Sequence, residues 1–250
     1  MPLYKSDTVD MYALSISFSL SICLIVPLCL LFCGCNNNNK IYAGKDKTIE
    51  EAITQVSEGG TIILDSDIEI TKPIVITKKV TIDLAEKSIK NVNGAESDLY
   101  NTDTKEWSLI SVQENGELII KNGTLEAEEN DCFAIDVRNG GKCTIESGNY
   151  IGNISSVYVY EGELTVSGGK FSIKQLNNTS QGPYGALLNC RDEKYTSGVA
   201  KITVKGGSFQ NFNPENNLAE GENTNFLADG YSSTLDQTTN YYVVSKNTKN

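Results

Sequence analysis

Short segments in the middle of the chain each carry two polar or aromatic residues at alternate positions. The row begins at Ser111 and Gln113, and its candidate ligand-binding residues are Asp136, Arg138, Tyr158, Tyr160, Asn189 and Arg191. Alternate side chains of a strand point to one side, so these residues would share one sheet face. Aromatic rings suit sugar rings, and polar groups suit hydroxyls. The pattern predicts glycan binding, although an ordinary exposed sheet face also favours tyrosine.

Histidine is absent from the chain, which excludes Ser-His-Asp and Cys-His nucleophiles, histidine-ligated zinc and imidazole acid–base catalysis. Of the seven cysteines, only Cys132, Cys143 and Cys190 lie beyond the N-terminal segment, and none belongs to a C-x-x-C pair. Three scattered cysteines do not make a disulfide framework, so we expect small buried hydrophobes. We predict no metal site and no cofactor.

The charge of the chain is acidic, with 21 Lys+Arg against 32 Asp+Glu. A net charge of −11 argues against a nucleic-acid partner, because phosphate binding needs clustered basic residues. The acidic run from Glu126 to Asp131 lacks the spacing of a calcium loop, which favours a solvated turn. Carboxylates from different segments could still meet at the separation that glycoside hydrolysis requires.

The N-terminal segment is strongly apolar, with no charged residue between Met11 and Asn39. It is long enough to span a bilayer, and it ends in Cys33-Gly34-Cys35 followed by four asparagines. This ending resembles a bacterial lipoprotein signal, which makes Cys35 the candidate lipidation site. An uncleaved membrane anchor and translation from Met11 are the alternatives. In each case we expect an exported protein, anchored to a membrane or displayed on the cell surface.

An internal repeat governs the rest of the chain. In three copies two glycines are seven residues apart, as in Gly116 and Gly123, and in a fourth copy Ala200 replaces the first glycine. Within each copy apolar residues alternate with polar ones, which predicts strands with two inward positions. The inward rows are Val80, Leu118, Cys143, Leu164 and Ile202, then Ile82, Ile120, Ile145, Val166 and Val204, and after the turn Leu125, Tyr150, Phe171 and Phe209.

A unit of 21 to 25 residues cannot bury its apolar face alone, but stacking such units joins each row into a continuous core. The sequence therefore predicts an all-β fold, a parallel β-helix or solenoid. The leucine-rich repeat has a similar length, but its consensus is absent. The loop from Gln175 to Arg191 is expected to overhang the candidate binding row.

An amphipathic helix is predicted ahead of the repeats. Ile49, Ala52 and Ile53 share one helical face, Thr48 is a suitable N-cap, and Gly59-Gly60 would stop the helix. The stretch from Thr48 to Leu64 resembles the entry to right-handed β-helix proteins of the pectin-lyase-like superfamily, in which such a helix covers the end of the coil stack. The resemblance extends over most of Thr48 to Val244.

The C-terminal part has its own resemblance, through Asn211 to Gly221 and Thr224 to Tyr231, to the closing segments of β-helix proteins from gut bacteria and their phages. The resulting organisation is a signal or anchor over 1–35, a polar linker over 36–47, the capping helix over 48–60, the β-helix over 61–210 and the closing segment over 211–250. A strand is expected at Tyr241–Val244 inside that last segment.

The resemblance to the pectin-lyase-like superfamily implies architecture, while the residues argue against its usual activities. The Gly-His-Gly motif of its hydrolases cannot occur here, and the outward row beside the glycines alternates in sign, which gives no acidic cluster for a lyase's calcium ion. That row is Asp83, Lys121, Glu146, Ser167 and Lys205. We expect a non-catalytic cell-surface protein that binds glycans or mediates adhesion. A carbohydrate-active lyase or hydrolase with an unrecognised site and a phage-derived structural β-helix are the alternatives.

Overall fold

Short strands are the main regular element of the structure, a computed structural model that describes residues 39–92, 108–128, 132–175 and 186–248. The predicted signal segment, Cys35 and residues 176–185 of the predicted overhanging loop lie outside the described residues. Strands and helices are numbered along the chain. The helices of the described part are α1 (Ile49–Gln55) and α2 (Asp192–Thr196).

The first sheet has seven strands, all paired in parallel. In spatial order they are β1 (Lys40–Ala43), β2 (Thr61–Leu64), β5 (Lys79–Asp83), β8 (Glu117–Lys121), β11 (Gly141–Ile145), β14 (Gly162–Val166) and β17 (Ala200–Val204). The β1 residues were expected in the polar linker. They form a strand because Ile41 and Ala43 point inward and extend the buried rows by one more layer.

The second sheet has five parallel strands and carries the candidate binding row. In spatial order its strands are β4 (Ile74–Ile76), β7 (Ser108–Val112), β10 (Phe133–Val137), β13 (Val157–Val159) and β16 (Leu188–Cys190). Every residue of β7, β10 and β16 is buried, including those on the face away from the core.

The third sheet has eight strands and changes direction at one end. Its parallel part contains β3 (Ile68–Ile70), β6 (Ser88–Asn91), β9 (Thr124–Glu126), β12 (Asn149–Gly152), β15 (Lys170–Ile173) and β18 (Gly207–Gln210). The hairpin of β19 (Tyr231–Asp236) and β20 (Tyr241–Lys246) then adds to β18 in the antiparallel direction. The predicted strand at Tyr241–Val244 is thus confirmed.

From β2 to β16 the chain visits the seven-, eight- and five-stranded sheets in strict rotation, and we call one such circuit a coil. Parallel strands in three stacked sheets are consistent with a β-helix. All three predicted inward rows are buried, and their members are direct neighbours in the strand register, as in the series Leu118, Cys143 and Leu164.

The corner before the third inward row uses glycine for two different reasons. Gly148 has φ of 111°, a conformation that L side chains rarely adopt. In the preceding coil Asn122 supplies the positive φ, at 61°. Gly123 beside it is required for space instead, since an added Cβ would lie 2.3 Å from Cβ of Leu84.

Helix α1 begins with a capping box, in which the Thr48 hydroxyl accepts a hydrogen bond from the Glu51 N–H and the Glu51 carboxylate accepts one from the Thr48 N–H. The helix ends at Gln55, earlier than the glycine pair, because Val56 adopts an extended conformation. Its buried residues Ile49 and Ala52 face the sheets, and the helix contacts β1 and β4.

The stacked register predicts that aspartate at two neighbouring positions of β14 will have very different effects on the free energy of unfolding. Leu164 is 1% exposed, between Cys143 and Ile202 in the register. Leu164→Asp should lower the free energy of unfolding by about 4 kcal/mol or more, since it removes apolar burial and places an unpaired charge in the core. Loss of the cooperative transition in urea unfolding would check this.

The matched control is Thr165→Asp, which changes the next residue on the outward side of the same strand. This variant should stay within about 1 kcal/mol of the parent protein. Equal destabilisation by the two substitutions would contradict the assigned register.

Candidate functional site

The candidate residues are brought together by the parallel register of the five-stranded sheet. Ser111 pairs with Asp136, Asp136 with Tyr158, and Tyr158 with Asn189, so four successive coils place these residues side by side. The alternation of the sequence predicted this row. It also predicted exposure, whereas Ser111, Asp136 and Asn189 are all less than 9% exposed.

Asp136 is the centre of the polar part of the site. Its Oδ1 accepts a hydrogen bond of 2.5 Å from the Ser111 hydroxyl, which in turn accepts one of 2.8 Å from Nε2 of Gln113. Its Oδ2 accepts hydrogen bonds from Nε and Nη2 of Arg138, at 2.9 and 2.7 Å. A buried carboxylate with these partners holds the Arg138 guanidinium in one orientation.

Aromatic rings form the other part of the site. The guanidinium carbon of Arg138 lies 4.2 Å from the centre of the Tyr160 ring, in cation–π geometry. The Tyr160 and Tyr158 ring centres are 4.4 Å apart, and Phe133 stacks on Tyr158 at 5.1 Å. We call Phe133, Asp136, Arg138, Tyr158 and Tyr160 the outer patch.

Exposure differs among members of the outer patch. Asp136, Tyr160 and Phe133 are buried, whereas Tyr158 is half-buried and 20% of the Arg138 side-chain surface reaches solvent. The buried members therefore support Tyr158 and Arg138, which are the members of the outer patch that solvent reaches.

Arg191 does not join the outer patch. It precedes helix α2, its side chain is 54% exposed, and its guanidinium lies 3.7 Å from the Glu193 carboxylate. The strand ends at Cys190, so the alternation that would have aimed Arg191 along the row no longer applies. Asn189 stays in the row next to Tyr158.

Phe133 was not predicted as a site residue. It has the same parity as Ile135 and Val137, and strict alternation would turn it inward. The two neighbours Ala134 and Ile135 are both fully buried, so the alternation breaks at the start of β10 and Phe133 stacks with an outward residue. Nothing in the sequence indicates this break.

Carboxylates on the outward face of the seven-stranded sheet pair with lysines of adjacent coils. Lys79 lies 2.8 Å from Glu117, Lys142 lies 3.5 Å from Glu163, and Glu117 and Lys142 are register neighbours. Glu163 is also the register neighbour of Lys201. The resulting charge ladder was missed, although the alternation used for the core would have found it.

The predicted acidic turn is in part a structural ion-pair site. Nζ of Lys174 lies 2.9 Å from both Glu126 and Glu128, and its hydrogen bond lowers the pKa of Glu128. Glu129 and Asp131, the remaining acidic residues of the run, lie outside the described residues. Within the described ranges no group of three or more cysteine, aspartate or glutamate residues could hold a metal ion.

The cysteines Cys132, Cys143 and Cys190 are all buried, as the sequence predicted for small hydrophobes. Burial raises the pKa of the Cys143 thiol to about 12, so this sulfur is a poor nucleophile at neutral pH.

A further depression lies at the first coil, beside α1. Its volume is about 320 Å³, and its lining includes Thr48, Glu50, Asp67 and Glu69. None of its lining residues belongs to the outer patch.

Comparison of the chain with protein-family models, with curated proteins and with solved structures finds no match in any of the three.

The buried ion pair of Asp136 and Arg138 predicts that two carboxylates will contribute very differently to the free energy of unfolding. Asp136→Ala should cost about 3 kcal/mol in urea unfolding, because it leaves the Ser111 hydroxyl and the Arg138 guanidinium without their shared acceptor. Glu163→Ala, which removes an exposed member of the charge ladder, should cost less than about 1 kcal/mol. Similar losses for both variants would show that Asp136 does not organise the patch.

Proposed function

We propose that the protein is a non-catalytic β-helix protein of the cell surface, which binds glycans through the outer patch. The observation that carries the proposal is the partly exposed Tyr158, whose ring centre lies 4.4 Å from that of Tyr160, while Asp136 and Tyr160 hold the Arg138 guanidinium in place. A flat aromatic surface next to oriented donors suits the apolar face and the hydroxyl edge of a sugar ring.

Charge favours an uncharged glycan as the ligand. The carboxylate of Asp136 balances the guanidinium of Arg138 within the patch, and the chain as a whole has a net charge of −11. An acidic polysaccharide would therefore be repelled over most of its length, while a neutral one gains from stacking and hydrogen bonds without that cost.

The architecture that supports this role is a right-handed β-helix of the pectin-lyase-like superfamily, capped by α1 at its first coil. The stacked parallel sheets and the contacts of α1 with β1 and β4 are what support it. The flat outer face of such a fold presents several coils to an extended ligand.

The proposal that the protein is displayed outside the cell is based on the apolar N-terminal segment. Either Cys35 is the lipidation site, or the whole segment is the anchor. Among residues 39–92, 108–128, 132–175 and 186–248, no helix is long and apolar enough to cross a membrane.

The test is binding of the full-length, detergent-solubilised protein to immobilised neutral glycans, with mass-spectrometric analysis of each bound glycan. Tyr158→Ala should weaken binding about tenfold or more, since it removes the accessible stacking surface. Tyr42→Ala is the control, because Tyr42 is 53% exposed and lies on β1, in a different sheet.

Full binding by a folded Tyr158→Ala variant would contradict the assigned patch. Shortened glycan chains or new unsaturated ends would contradict the non-catalytic function and support a lyase or hydrolase. Absence of binding to every glycan would favour a structural or protein-binding role.

A further inference from the structure

We propose that Glu220 is a protonation-dependent latch that fastens the closing segment, residues 211–250, to the last complete coil. The contact joins two parts of the protein that are distant in sequence. The N–H of Cys190 donates a hydrogen bond of 2.5 Å to Oε1 of Glu220. Cys190 ends β16, the last strand of the five-stranded sheet.

The position of this N–H explains what the carboxyl does. The amide of the next residue, Arg191, donates to the carbonyl of Val159 in β13. The Cys190 amide therefore points away from β13, to the unpaired side of the edge strand β16. A further coil would supply a backbone acceptor there. Glu220 supplies the acceptor instead and closes the edge.

The loop that carries Glu220 is closed at its base by backbone hydrogen bonds. Asn217 and Thr224 exchange backbone hydrogen bonds of 3.0 and 3.1 Å across the loop. Beyond it, the carbonyl of Phe226 accepts a hydrogen bond of 2.7 Å from the Val204 amide, and the Phe226 ring is 2% exposed. The loop therefore delivers the Glu220 carboxyl to the edge of β16 as part of a docked segment.

The second oxygen of Glu220 makes the contact sensitive to protonation. Oε2 is buried and has no hydrogen-bond partner. A charged oxygen left in this position is costly, whereas a neutral carboxylic acid is tolerated. The groups that face the carboxyl are the Cys190 thiol, Asp192 at the start of α2 and Tyr195 of α2, none of which supplies a positive charge.

The electrostatics agree with this geometry. Burial, supported by the negative charge of Asp192, raises the pKa of Glu220 from an ordinary 4.5 to about 7. A released segment would have the ordinary value. Docking is thus fully favoured below about pH 4.5, weakens as the pH rises to 7, and has lost the contribution of the neutral acid above that pH.

Hydrogen exchange of the full-length protein, read by mass spectrometry at pH 5 and pH 8.5 and corrected for intrinsic exchange, tests the latch. The peptide containing the Cys190 amide and the peptides of residues 217–227 are the reporters. One pKa unit corresponds to a tenfold change in an equilibrium constant, and Glu220 as a whole residue is partly exposed, so we expect opening to increase about tenfold across this range.

Glu220→Gln should remove this pH dependence, because the amide keeps an acceptor for the Cys190 N–H and cannot ionise. Glu222→Gln is the matched control, since Glu222 is an exposed glutamate two residues further along and should leave the parent behaviour unchanged. A parent protein with pH-independent opening, or a Glu220→Gln variant that retains the parent's dependence, would overturn the proposal.

Asp192→Asn gives a second test that does not alter the latch residue. Asp192 is exposed, and its charge contributes to the raised pKa of Glu220. Its removal should move the opening transition to lower pH while the fold is retained. An unmoved transition would overturn the assignment of Glu220 as the titrating group.

Discussion

Stacking of equivalent side chains on one another is the constraint on which the structure depends. Parallel strands of successive coils are about 4.8 Å apart, so each inward residue meets the residue at the same position in the next coil. Residues in such a column must be compatible in size with both neighbours. Tyr150, Phe171 and Phe209 satisfy this with ring centres 5.3 and 4.8 Å apart.

A column of this kind must end, and the aromatic column ends in the closing segment. The ring centre of Phe209 lies 6.3 Å from that of Phe212, and the ring centre of Phe212 lies 6.5 Å from that of Phe226. Phe212 and Phe226 are both buried. The core therefore continues past the final repeat without another coil. Backbone groups at the sheet edges are satisfied separately, by the hairpin of β19 and β20 and by Glu220.

The sequence predicted what depends on period and repetition. The inward rows, the register neighbours Asp136, Tyr158 and Asn189, and the N-cap of α1 follow from alternation and spacing and are confirmed. Arg191, which was predicted for the same row, lies outside it. Strand β1 was missed because it belongs to no complete repeat. Phe133 and Glu220 were missed because their roles arise from contacts between segments, which leave no periodic trace.

The site was predictable only as a set of neighbours. Alternation placed Asp136 beside Tyr158, but it gave no indication that the carboxylate would be buried or that it would hold Arg138. Burial of an outward face depends on what packs over it, and strand period contains no information about that. The proposed sugar binding involves only the exposed parts of Tyr158 and Arg138.

The charge ladder gives the outer face of the seven-stranded sheet a different symmetry from the core. Lys79, Glu117, Lys142, Glu163 and Lys201 alternate in sign from coil to coil, whereas the inward rows repeat with every coil. The inward rows are apolar in every coil, so the loss of one coil would still leave apolar residues in contact. Removing one internal coil would bring like charges of the ladder into contact, whereas removing two adjacent coils would restore the alternation. The outer face of this sheet therefore has a period of two coils, whereas the core has a period of one.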